Sequence, residues 1–208
     1  MSRIRKIKRN SPTNFYLIDA CFLANRYVPL QQLRSPERDR VEKCQRWWAE
    51  IDSQLNAKRA IVYVPDVCIA EAFKVLAKKY YREKAFLNAT AYNQARKRLS
   101  RDITTSPRQL KAFKRKIKFH DISTSRDVII AVDRFLEVFM KKHLDASLPD
   151  LIILATAKYL IDFYRIPDDR LFIVTLDGAL HKGSRKLPDI PSAFDPTKSN
   201  ETAEKVFV

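Results

Sequence analysis

The sequence predicts an α/β fold with a mainly parallel central sheet and a helical insertion. Short apolar runs typical of buried strands alternate with stretches whose apolar residues recur every three to four positions, as on one face of a helix. The strand-like runs are apolar throughout, which is typical of parallel strands buried on both faces. With 208 residues, of which 46% are hydrophobic, the chain fits one domain with a normal core.

Three apolar runs carry the strand predictions. The first, at 14–18, stops at Asp19, and the second, at 60–64, closes at Pro65. The clearest run, at 171–176, ends at Asp177, and residues 205–208 are a candidate last edge strand. The predicted helices cover, in order, 36–55, 66–80, the stretch 81–118, 128–140 and 151–161.

Glycine and cysteine usage exclude several kinds of site. The chain has only Gly178 and Gly183, where an average chain of this length carries about 15 glycines. A Walker A loop or a dinucleotide fingerprint therefore cannot be built. Cys21, Cys44 and Cys68 are far apart and form no C-x-x-C pair, so a zinc site or a disulfide framework is not expected.

Positive charge is concentrated in one part of the chain. The net charge of +16 divides into +5 for a leader at 1–10, 0 for 11–73, +13 for 74–118 and −2 for 119–208. We therefore expect a basic leader followed by one domain at 11–208, with a basic helical insertion at about 80–118 that binds a polyanion. Candidate RNA-binding residues are Arg96, Lys97, Arg98, Lys111, Lys114, Arg115 and Lys118.

Two other interpretations of the basic block remain open. It is either a solvated helical face or, over 107–118, a helix lying on an anionic membrane through Leu110, Phe113 and Ile117. No apolar run approaches the roughly 18 residues that cross a bilayer, and no apolar signal region follows the leader. The expected location is the cytoplasm.

Four carboxylates occupy positions typical of a functional site. Asp19 and Asp177 follow apolar strands, and ligand sites of open α/β sheets lie outside the carboxyl ends of strands. Glu71 interrupts an apolar helix face, and Asp150 begins an apolar helix. Taken singly, such acids are more often turn or cap residues. Converging together, they suit Mg²⁺ or Mn²⁺ and predict metal-assisted phosphodiester hydrolysis.

Four segments resemble the acidic motifs of the PIN domain, the nuclease fold of VapC-type toxins and several RNA-processing enzymes. The matching stretches surround Asp19 (YLIDACFL), Glu71 (VPDVCIAEAF), Asp150 (LPDLIILATA) and Asp177 (IVTLD). The resemblance covers about 11–80 and 119–180. It implies a three-layer α/β/α sandwich in which these four acids ring a Mg²⁺ or Mn²⁺ site. It also implies an antitoxin protein and a homodimer as partners.

The sequence departs from the PIN motif directly after the first acid. Ala20 and Cys21 stand where the family has a hydroxyl or amide residue, whereas Thr175 matches a hydroxyl that the family often keeps before its last acid. His181 follows that acid and is a second candidate supporting residue, equally consistent with a plain surface residue. The two glycines are expected to keep this loop mobile.

The prediction is a metal-dependent endoribonuclease that uses Mg²⁺- or Mn²⁺-activated water, as a toxin of a toxin–antitoxin pair or as a processing enzyme. The alternative is a catalytically weak or inactive protein that binds nucleic acid on the same scaffold. Loss of cleavage with retained RNA binding, on replacing Asp19 or Asp150 by Asn, distinguishes an enzyme from a binding protein.

Overall fold

The structure is a computed structural model that describes residues 13–198 except Phe113 and Arg115. The basic leader at 1–10, the candidate strand at 205–208 and the predicted RNA-binding Arg115 lie outside the described residues. The single described sheet has four parallel strands. They are β1 (Asn14–Ile18), β2 (Ala60–Pro65), β3 (His120–Ile122) and β4 (Leu171–Val174), in the spatial order β3-β2-β1-β4.

Helices fill every connection between these strands. In chain order they are α1 (Ala20–Asn25), α2 (Glu37–Asn56), α3 (Asp66–Tyr81), α4 (Ala89–Asp102), α5 (Pro107–Ala112), α6 (Arg126–Lys141), α7 (Leu148–Asp162) and α8 (Gly178–Ser184). The chain crosses from β1 to β2 to β3 and then returns past β1 to β4. Because parallel crossovers are right-handed, this reversal places helices on both faces of the sheet, confirming the predicted α/β/α sandwich.

The strand order creates one crevice suited to a ligand. Connections leave β1 toward β2, while β4 pairs with the other side of β1 in register, from Phe15 opposite Leu171 to Ile18 opposite Val174. The carboxyl ends of β1 and β4 therefore flank the point where the strand order reverses. In open α/β sheets this is the usual place of the binding site.

The helical segment after α3 differs from the prediction of a helix that starts at 81 and is followed by a second helix over 107–118. Residues 82–88 form a turn, and α4 begins only at Ala89, where the Asn88 side chain accepts a hydrogen bond from the backbone N–H of Ala91. The Asn88 side chain favours a new helix over a continuation of α3, because its oxygen accepts from a backbone N–H that has no partner within the first turn of α4. Two separate helices, α4 (Ala89–Asp102) and α5 (Pro107–Ala112), thus follow α3 in the β2–β3 connection.

The helix predicted over 107–118 is also shorter than expected. It ends at Ala112, and Ile117 lies beyond it with 41% of its surface exposed. The amphipathic face proposed for membrane binding is therefore not formed as predicted. In the described ranges no helix combines the length and apolarity that crossing a membrane requires.

Candidate active site

Asp19 lies at the carboxyl end of β1 and is 5% exposed. Its Oδ1 accepts a hydrogen bond from the Phe22 N–H at 2.6 Å, so the side chain caps α1. Its Oδ2 accepts from the Thr175 hydroxyl at 2.5 Å and from the Leu176 N–H at 2.9 Å. Three donors, one in α1 and two directly after β4, therefore fix the carboxylate at the crevice.

Burial makes the charge on Asp19 costly. Desolvation raises the pKa of Asp19 to about 6, against the lowering effect of its three hydrogen bonds, and the negative charge of Asp150 raises it further. A carboxylate this poorly solvated gains much by pairing with a cation.

Asp177 follows β4 and caps the next helix. Its Oδ1 accepts from the N–H groups of Ala179 at 2.6 Å and Leu180 at 3.0 Å, at the start of α8. Its own N–H donates to the Thr175 hydroxyl at 2.9 Å. Because that hydroxyl donates in turn to Asp19, Thr175 links the two strand-end acids.

Asp150 is held in the first turn of α7. Its Oδ2 accepts from the N–H of Ser147 at 3.0 Å and from the Ser147 hydroxyl at 2.6 Å, in a reciprocal capping box. Burial, and secondarily the charge of Asp177, raise the pKa of Asp150. Asp150 is therefore electrostatically coupled to both strand-end acids.

Glu71 faces the same edge from α3 and is half-buried. Burial raises the pKa of Cys21 to about 12, and the charges of Asp19, Glu71 and Asp177 act on this thiol. Burial also raises the pKa of Cys68, where Asp19, Glu71 and Asp150 add to the effect. Each of the four predicted acids therefore acts electrostatically on at least one of these two thiols.

The donor chemistry of this cluster fits a hard divalent cation. Its ligands would be carboxylate oxygens, and the hydrogen bonds of Asp150 and Asp177 leave Oδ1 of the former and Oδ2 of the latter without a donor among the described residues. Within those residues, however, no three His, Cys, Asp or Glu side chains stand close enough to hold one ion together.

The prediction of a mobile glycine loop after Asp177 is wrong, because both glycines belong to α8. Gly183 is buried, and a Cβ on it would overlap the Phe139 ring of α6, so this glycine permits close packing of two helices. His181 lies one turn into α8, where burial lowers its pKa and the charges of Arg185 and Lys198 add to that shift.

The predicted RNA-binding residues are spread over several elements. Arg96, Lys97 and Arg98 are exposed on α4, and Lys111 and Lys114 are exposed near α5. Lys118 instead forms ion pairs with Asp102 at 3.3 Å and Asp52 at 3.7 Å, so its charge is partly neutralised.

Sequence reasoning missed two residues at this edge. Arg40 of α2 donates to the backbone carbonyl of Leu176 at 3.4 Å, which brings a cation beside the strand-end acids. No local signal marks it, because the contact spans the whole fold. Ser147 was detectable, since Ser-x-x-Asp before an apolar run is a capping-box pattern.

Comparison with solved structures supports the fold. FitAcB from Neisseria gonorrhoeae superposes with a TM-score of 0.51 at 17% identity, over 88% of this chain and 99% of that one. FitAB bound to an IR36 DNA fragment gives 0.52 at 16% identity, over 89% and 98%. The chain has a PIN-like fold. No family model matches the sequence, and no curated protein matches it significantly. Comparison of structures therefore supports the PIN-like fold, which the sequence indicates only through four short motifs.

Proposed function

We propose that this PIN-like protein is a metal-dependent endoribonuclease whose active site is the cluster of Asp19, Glu71, Asp150 and Asp177. The observation that carries the proposal is the buried Asp19 at the strand-order reversal, whose pKa is raised to about 6, which feels the charge of Asp150 and is linked to Asp177 through Thr175. Structural ion pairs do not account for such a cluster, because none of the four has a cationic salt-bridge partner among the described residues.

Three of the four acids have a defined task in this proposal. Asp19 is held rigidly by Phe22, Thr175 and Leu176, and would be the central ligand of a Mg²⁺ or Mn²⁺ ion. Asp150 and Asp177 would supply further ligands through Oδ1 and Oδ2, respectively, after small side-chain rotations. The other oxygen of each would keep its hydrogen bonds at the start of a helix. When bound, the ion would activate water and stabilise the leaving oxygen. Arg40, which donates to the Leu176 carbonyl at this edge, would pair with a substrate phosphate.

The protein's own thiol is a poor alternative nucleophile. Cys21 lies beside Asp19, but burial raises its pKa to about 12, so it stays protonated at neutral pH. Direct attack by water, with no covalent enzyme intermediate, is therefore the mechanism that fits these residues.

RNA cleavage with and without divalent ions tests the proposal. We expect the wild-type protein to cut single-stranded RNA in Mg²⁺ or Mn²⁺ and to stop when EDTA is added. Asp150→Asn and Asp177→Asn should each slow cleavage by about 10²–10³-fold, as for removal of one electrostatic stabiliser. A wild-type protein that binds RNA but never cleaves it would instead support the alternative of an inactive binding scaffold.

The partner predictions remain an antitoxin protein and a second copy of the chain. In support of a protein partner, α6 exposes Ile129, Ile130, Leu136 and Met140, with exposed fractions between 42% and 68%. Light scattering on the purified protein tests the homodimer, and co-purification with the product of a neighbouring gene tests the antitoxin.

A further inference from the structure

A groove between α1 and α3 opens beside the acidic cluster. It encloses about 400 Å³, and Glu71 and Cys21 line it next to Asp19. Ala20, Val75 and Ala77 contribute an apolar floor. From Glu71 to Arg82 the groove follows α3 for about 16 Å.

One wall of this groove is a column of cations. Lys74, Lys78 and Arg82 follow one another at intervals of four, so they project from one side of α3. Lys78 lies 3.5 Å from Glu83, whereas neither Lys74 nor Arg82 forms an ion pair with any described residue. Two unpaired cations on a fixed helix are available to an anionic ligand.

Tyr81 adds an aromatic surface to the same groove. It is 64% exposed, unusual for a large aromatic side chain. The rings of Tyr80 and Tyr92 meet it edge-on, with centroids at 4.8 Å and 5.9 Å. These contacts hold the tyrosine in place and leave it accessible, which suits stacking by an unpaired base.

We propose that this groove of α3, from Glu71 to Arg82, binds single-stranded RNA next to the cleaved phosphate. Lys74 and Arg82 contact backbone phosphates, and a base stacks on Tyr81. The inference rests on the proposed nuclease function and adds the path that its substrate takes along α3. Single-stranded RNA is favoured over duplex because a paired base cannot stack on a side chain inside a groove.

This path differs from the RNA-binding surface that the sequence predicts. Arg96, Lys97 and Arg98 belong to α4, and none of them lines the α1–α3 groove. The groove, in contrast, is continuous with the acidic cluster through Glu71 and Cys21. Regularly spaced cations beside one accessible aromatic ring match the alternating phosphates and bases of RNA better than they match an acidic peptide.

Binding of a fluorescein-labelled single-stranded RNA in EDTA, followed by anisotropy, tests the path without cleavage. For Lys74→Gln/Arg82→Gln, the slope of log K against log salt should become shallower by about 1.4, because each lost phosphate contact removes about 0.7. Tyr81→Ala should weaken binding by roughly 5- to 150-fold, while Tyr81→Phe should bind as the wild type does.

Matched variants make the result decisive. Arg59→Gln/Lys141→Gln removes the same charge away from the groove and should leave binding nearly unchanged. Lys97→Gln/Arg98→Gln, on the surface that the sequence predicts, should weaken binding less than Lys74→Gln/Arg82→Gln does. The proposal is overturned if Lys97→Gln/Arg98→Gln causes the larger loss. Equal binding of duplex RNA, or equally strong competition by a poly-glutamate peptide that requires Lys74 and Arg82, would overturn it as well.

The cleavage assay separates this inference from the proposed function. If the wild type cuts RNA and Asp150→Asn does not, while the groove variants bind and cut normally, only the groove assignment fails. If the wild type neither binds nor cuts RNA, the nuclease proposal itself fails.

Discussion

Three acids of the candidate site also stabilise the local backbone. Asp19 and Asp177 cap α1 and α8, and Asp150 completes the capping box of α7. The structural and functional interpretations of these residues are thus compatible, because a carboxylate has two oxygens. A substitution that removes the charge but keeps one acceptor oxygen separates the two roles.

Asp150→Asn and Asp177→Asn should lose cleavage but keep stability. Each aspartate uses only one oxygen for its cap, and Asn caps a helix about as well as Asp. We expect thermal unfolding within about 0.5 kcal/mol of the wild type, whereas Asp177→Ala should cost about 1 kcal/mol. Equal destabilisation by Asn and Ala would show that the charge itself stabilises the fold.

Asp19 should give the protein a distinctive pH dependence in EDTA. Its folded-state pKa is raised to about 6 from 3.8, so the folded protein holds a proton that the unfolded chain has released between those values. Stability from this group is therefore greatest below pH 4 and is lost as pH rises through 6. A shift of about two units corresponds to about 3 kcal/mol.

Denaturation of wild type and Asp19→Asn at pH 4 and pH 7 measures this effect. Between pH 4 and pH 7, the unfolding free energy of the wild type should fall by about 2.4 kcal/mol relative to that of the variant, because the unfolded carboxyl is already partly ionised at pH 4. A difference that is the same at both pH values would contradict the raised pKa. The variant is expected to be less stable at pH 4, since its amide cannot accept the Leu176 N–H as Oδ2 does.

At the scale of elements, α8 is positioned by its close approach to α6. Gly183→Ala should destabilise the protein by about 1–3 kcal/mol, because the new methyl group overlaps the ring of Phe139. Gly178→Ala is the matched control, since its Cβ would meet only Lys198 Nζ at 3.6 Å. Thermal melts should separate the two variants, and similar melting temperatures would argue against this packing.

The Thr175 hydroxyl links the acids at the ends of β1 and β4. Thr175→Val should destabilise the protein by about 1–3 kcal/mol, because it leaves the buried carboxylate of Asp19 and the N–H of Asp177 each short of one partner. Thr175→Ser keeps the hydroxyl and should restore most of the stability and any metal affinity. Chemical denaturation combined with Mn²⁺ titration checks both, and a Ser variant no better than Val would contradict this role.

At the scale of the whole molecule, charge is divided between an acidic crevice and basic helices around it. A cation that binds the folded crevice should stabilise the entire domain. Mg²⁺ or Mn²⁺ at about 100 times its dissociation constant should raise the unfolding free energy by about 2.7 kcal/mol. Thermal melts of the wild type should show this rise and those of Asp19→Asn should not. An equal rise in both would place the ion elsewhere.

Much of the fold and of the acidic cluster could be predicted because the signals are local. An apolar run ending in Asp marks a buried strand and its carboxyl end, as at Ile18 and Asp19. The three-residue strand β3 was missed, because His120–Ile122 is too short to show alternation and is fixed by pairing with Tyr63–Pro65. The break before α4 was missed because a single cap at Asn88 outweighs helical periodicity.

The sequence by itself determined the α/β fold class, the four acids and the basic character of the chain, since each follows from residue type and spacing. Only the tertiary structure decided that Thr175 joins Asp19 to Asp177, that Arg40 reaches their edge and that Gly183 packs instead of flexing. The tertiary structure also decided which cations are free to bind an anionic ligand. Lys118 forms an ion pair with Asp102, whereas Lys74 and Arg82 line a groove and form no ion pair with any described residue. Such facts depend on residues far apart in the chain, whose side chains meet only when the sheet and helices pack.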